Sequence, residues 1–134
     1  LGQQHHVHSQ AEFQRFLIML KAEMIQAGYG LDTYHQGLII NNREIKLQKD
    51  ANLDQDLLDS GEQIVYQYFP EQKKLSRKSG QGYFHTLIEP INFLDFLSVS
   101  TSTEMINHVA CAKNRYQFEN NRPILEAFLC PFKL

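Results

Sequence analysis

The stretch from Ser9 to Gly28 constrains this chain more than any other. Phe13, Phe16, Leu17, Leu20, Met24 and Ala27 recur at intervals of three and four, the spacing that lays one apolar stripe along an α-helix. Ser9 and Glu12 form an S-x-x-E capping box at the start, and Gly28 and Gly30 offer a left-handed stop at the end. A helix of this kind is stable only when another element covers its stripe. Residues 1–8, polar and carrying His5, His6 and His8, are expected to be a mobile terminus ahead of a single α+β domain spanning 9–134.

The remainder supplies strands. "TYHQGLII" and "REIKL" flank Asn41-Asn42, residues that tolerate positive φ, and so read as a β-hairpin with Ile45 and Leu47 inward. "DANLDQDLLDSG" reads as a short helix with Leu53, Leu57 and Leu58 on one side and Gly61 as its stop. "EQIVYQYF" alternates like a half-buried strand, and "GYFHTLIE" is its partner across a long polar connection. Pro90 opens "INFLDFL", whose apolar run suits a short helix or a buried strand, and Thr101 with Glu104 repeats the capping box ahead of Met105, Ile106, Val109 and Ala110. Between Pro123 and Pro131 lies a final helix or an edge strand. The predicted fold is α+β: an N-terminal helix, two β-hairpins of mostly antiparallel strands separated by a short helix, and C-terminal helices packing on the sheet.

Thirteen basic and fifteen acidic side chains give a net charge of −2, which argues against an extended nucleic-acid partner and makes any anion site local. The longest apolar run, "FLIML" at 16–20, falls far short of the ~20 residues a bilayer span needs. Cys111 and Cys130 are read as free buried thiols, with one bridge as the other reading. The expected location is cytoplasmic, or secreted without a visible signal peptide.

One local feature points to ligand chemistry. Lys73, Lys74, Arg77 and Lys78 crowd "KKLSRKSGQG", read as a loop closed by Gly80 and Gly82 and flanked by Tyr66, Tyr68, Phe69, Tyr83 and Phe84. Clustered cations with glycines and hydroxyls suit a phosphorylated ligand, and aromatic rings suit a base beside it. A solvated hairpin tip is the plainer reading. His108 and Cys111 lie three apart, as a metal pair or a thiol and its base would, without the further ligands zinc needs, so no metal or other cofactor is assigned. Asp54, Asp56 and Asp59 read as the solvated side of the short helix. Phe128 and Phe132, within an apolar tail, are the candidate protein contact, with a homodimer as the default partner.

"FLSVSTSTEMINHVA" resembles the strand and helix around the Ser-Thr-Ser motif of mono-ADP-ribosyltransferases, and "TYHQG" is similar to that family's aromatic-cation-glycine strand. The resemblance implies an NAD site at His35 with Ser100 or Ser102. The family's Glu-x-Glu has no counterpart here, because Glu104, Glu119 and Glu126 stand alone, and the oxocarbenium-like transition state would lack its carboxylate. The order of a long helix and two hairpins is also similar to small type III secretion chaperones, and the Gln, Asn, Lys and Leu usage resembles that of low-GC bacterial proteins, secreted effectors among them. The function expected is a non-enzymatic domain that binds a protein or a small anionic ligand, of effector or chaperone-like adaptor type. The alternative is an NAD-dependent transferase-like domain.

Overall fold

A computed structural model describes residues 2–27, 37–49, 62–101 and 109–130. Among these residues it holds one helix and eight strands in two antiparallel sheets. Helix α1 is Gly2–Gln26. The first sheet is a five-stranded meander of β1 Leu38–Asn41, β2 Glu44–Gln48, β3 Gln63–Phe69, β4 Lys74–Ser79 and β5 His85–Ile88. The second is a three-stranded meander of β6 Phe93–Thr101, β7 Val109–Gln117 and β8 Leu125–Leu129.

The helical stripe behaves as its spacing predicts. Phe13, Phe16, Leu20, Met24 and Ala27 are all buried and join side chains of both sheets in one core. The Phe16 ring meets Tyr66 of β3 at 5.4 Å and Phe96 of β6 at 6.5 Å between centroids, and Phe13 stacks on Tyr116 of β7 at 4.0 Å. One helix thus covers the inner faces of both sheets. It begins at Gly2 rather than at the capping box, so Ser9 lies within it and is buried.

The first hairpin forms with Ile45 and Leu47 inward, its turn at Asn42 and Arg43, one residue later than the Asn-Asn pair suggests. The expected short helix at 52–59 lies outside the described residues. The second hairpin is corrected, because its polar connection is itself strand β4, paired in register with β3 from Ile64↔Ser79 to Phe69↔Lys74. Period two explains this. Leu75 faces the core and is fully buried, while Lys74 and Lys78 occupy alternate positions on the outer face, where lysines cost a strand little.

The C-terminal helices are also corrected: the chain forms β6, β7 and β8 there instead. In β6, Leu94 and Phe96 point inward, while Asp95 on the other face pairs with Arg115, its cross-strand neighbour in β7. In β7, Ala112, Asn114 and Tyr116 line the inner side, Asn114 being fully buried with Nδ2 donating to the Ala127 carbonyl of β8 at 3.2 Å. Thr101 closes β6, Val109 and Ala110 belong to β7, and Glu104 of the expected capping box lies outside the described residues. Pro90 precedes β6, and its bond to Glu89 is cis.

The two sheets are joined through backbone. The Phe96 N–H donates to the Asn42 carbonyl at 2.8 Å, and the Ile91 N–H to the Lys73 carbonyl at 2.8 Å. Tyr68 donates its hydroxyl to the carbonyl of Ile91 at 2.7 Å, satisfying a buried polar tip at the junction. No described helix is long and apolar enough to cross a membrane.

Candidate functional site

The four expected cations do not share one site. Lys73 sits in the β3–β4 turn with φ of 53°, its side chain exposed. Lys74 and Lys78 project from the outer face of β4, and Arg77 projects from the inner face toward α1. Strand alternation makes this division, and a loop reading of "KKLSRKSGQG" hides it. Nor do the glycines cradle an anion. The Gly80 N–H donates to the Gln63 carbonyl at 2.7 Å and the Gly82 N–H to the Ser79 carbonyl at 3.2 Å. Gly80 takes a φ of 60°, a left-handed turn conformation that glycine adopts without a Cβ clash.

On the inner face, Arg77 holds Glu23 of α1 by two bonds, Nε at 3.1 Å and Nη2 at 2.8 Å, and the Tyr66 hydroxyl donates to the same carboxylate. Burial, then the bond to Glu23, raises the Tyr66 phenol above its ordinary range, so it stays protonated and donating at physiological pH. The bond to Glu23 likewise raises the Arg77 guanidinium. A cavity of about 210 Å3 opens beside this triad, lined also by Gln26, Leu47, Lys49 and Glu62. Its acidic and basic linings balance, and the Glu23 and Arg77 charges neutralise each other. The triad fastens the end of the helix to the sheet.

On the outer face, the rings of Phe69 and Phe84 meet edge to face at 5.4 Å. The Lys74 ammonium lies 5.6 Å from the Phe69 centroid, and that of Lys78 lies 5.1 Å from the Phe84 centroid. Each cation is held by a ring quadrupole and has no carboxylate partner among the described residues. Ser76, between the two lysines on this face, is buried, and its hydroxyl lacks a hydrogen-bond partner among the described residues. Ser76→Ala is therefore expected to keep or raise the urea midpoint, because an unmade bond is removed with its donor. A loss above about 1 kcal/mol would reveal a partner for the hydroxyl.

The third surface is β8. Its ladder partner is β7, and among the described residues its other edge is unpaired. Ile124, Leu125 and Phe128 are 54%, 41% and 57% exposed. Phe128 points outward with the Lys113 ammonium 5.5 Å over its ring, and Lys113 also pairs with Glu126 at 3.1 Å. On the other side, Leu125 borders a groove of about 370 Å3 shared with Gln10, Phe13, Gln14, Tyr116 and Phe118.

Cys111 and Cys130 are not free thiols but a disulfide that ties β7 to the residue after β8. Neither sulfur is available as a nucleophile or metal ligand. Among the described residues no three His, Cys, Asp or Glu side chains gather as a metal site. His108, Asp54, Asp56, Asp59, His35, Ser102 and Phe132 lie outside the described residues; Ser100 is within β6. Sequence reasoning did not find Glu23 as the partner of Arg77, since 54 residues separate them. The alternation through "KLSRKS" was the signal that would have separated Arg77 from the lysines. No protein-family model, curated protein or solved structure matches this chain.

Proposed function

We propose that this chain is a non-enzymatic protein-binding domain whose contact surface is strand β8, and that it works in an oxidising compartment. The observation that carries this reading is the exposed edge of β8, with Leu125 and Phe128 outward from its two faces and Ile124 beside them. Exposed apolar edge strands are normally blunted by charge, proline or cover, because they recruit other strands. Among the described residues nothing pairs with this edge; Glu126 is its one charge and is paired with Lys113, the disulfide anchors the strand's C-terminal end, and the Lys113 ammonium sits over Phe128. A partner strand added to β8 would gain backbone hydrogen bonds and place alternate side chains against Leu125 and Phe128. A disulfide between these strands favours an extracytoplasmic site of action over a reducing cytoplasm.

The test is Phe128→Asp. An exposed side chain contributes little to stability, so the variant is expected to unfold within about 0.5 kcal/mol of the parent. Its association, read by light scattering across a range of concentrations for self-contact and by pull-down for another protein, should fall at least roughly tenfold, as expected when an anchor residue is lost. Unaltered association in a folded variant would remove β8 as the contact surface.

A further inference from the structure

A second surface lies on the opposite side of the molecule's larger sheet. The register of β2, β3 and β4 places Lys46, Val65 and Lys78 in one row of the outer face, Glu44, Gln67 and Ser76 in the next, and Phe69 and Lys74 in the third. Three lysines and one glutamate on that patch make it basic within a chain of net charge −2. Lys74 and Lys78 stand four residues apart on one strand, so their origins are about 13 Å apart at ~3.3 Å per residue. Each ammonium group sits by a different ring of the Phe69–Phe84 pair.

We propose that this face binds an extended acidic segment of a partner protein. Carboxylates four residues apart would meet Lys74 and Lys78, and an apolar side chain midway between them would rest on the Phe69–Phe84 pair. An extended chain repeats the spacing of β4 itself, so carboxylates at i and i+4 match the lysines and the residue at i+2 faces the same way. A single phosphate fits this arrangement poorly, because each ammonium group is drawn to a different ring and the nearby Gly80 and Gly82 amides are already bonded. Base stacking needs a whole ring face, and each of Phe69 and Phe84 already carries a lysine ammonium, whereas an aliphatic side chain can rest on the ring edges. The exposed Tyr83, next to Phe84, adds apolar surface at the rim.

The experiment is an amide chemical-shift titration of the whole chain with Ac-Glu-Thr-Leu-Thr-Glu-NH2. Shifts are expected on β3, β4 and Phe84. Affinity should fall by roughly tenfold when both glutamates of the peptide become glutamine, by a similar factor in Lys74→Gln/Lys78→Gln, and further with added salt. The unperturbed amides of α1 report that the variant is folded. Absence of shifts at millimolar peptide, equal binding of the glutamine peptide, or shifts confined to other surfaces would overturn the proposal. So would stronger binding at the same amides by inorganic phosphate or by oligothymidylate.

Discussion

Phe16→Ala is expected to destabilise the protein by about 3–5 kcal/mol, the range for truncating a fully buried aromatic residue. Phe16 is 1% exposed and contacts Phe13, Tyr66 and Phe96, so its ring belongs to the helix stripe and reaches both sheets. Against a typical stability of about 5–15 kcal/mol, such a loss leaves a marginal fold. Because both sheets share this core, they should unfold in one transition in the variant as in the parent. The measurement is urea unfolding followed in parallel by tyrosine fluorescence and far-ultraviolet circular dichroism. A loss below about 1 kcal/mol, well under the cavity range, or two separated transitions, would contradict a helix shared between the sheets.

Reduction of the Cys111–Cys130 disulfide is expected to lower stability by about 3 kcal/mol, as chain-entropy arguments give for loops of this order. The bridge spans 19 residues and holds β8, a strand paired on one side only among the described residues. The effect should therefore concentrate there. Amide exchange in Leu125–Leu129 should accelerate more than exchange in β3, which is paired on both sides. Cys111→Ser/Cys130→Ser should reproduce the effect of reductant. Identical urea midpoints with and without reductant would show that β8 needs no staple, and would weaken the case for an oxidising compartment.

Some of this architecture was legible in the residues and some was not. The α1 stripe was, since six apolar side chains at helical spacing have no strand reading. The Ile45–Leu47 and Ile64–Tyr66–Tyr68 alternations were legible for the corresponding reason. Strand β4 was obscured because it buries only Leu75 and Ser76, and its third anchor, Arg77, is satisfied by Glu23 on a distant helix. Strand β6 was ambiguous because its apolar residues fall on both faces, which erases the period that distinguishes helix from strand. In β7 the inner face carries Ala112 and Asn114, small and polar groups that give no hydrophobic signal although both are buried. Val109 and Ala110, read as the continuation of a helix from the Thr101–Glu104 capping box, belong to strand β7, whose small inner side chains match either period.

The surfaces follow the same logic. Lys74 and Lys78 were identifiable as a basic cluster beside aromatic residues. Their separation from Arg77 and their seat on Phe69 and Phe84 required the register. Phe128 was identifiable as surplus apolar surface, and the structure shows why it is surplus: the face it occupies is not the one α1 covers. The pairing of the two cysteines was not legible, because two residues 19 apart in sequence meet only if the intervening chain turns back as antiparallel strands.

The central claim is that β8 is a protein contact, and site-specific photocrosslinking tests it most directly. A benzophenone side chain at position 128, introduced in cells that make this protein, should give a discrete adduct. That adduct should vanish when Leu125→Asp is added, while the same probe at the exposed Arg15 on α1 should give none of that size. Absence of any adduct at position 128, or the same adduct from both positions, would contradict the claim.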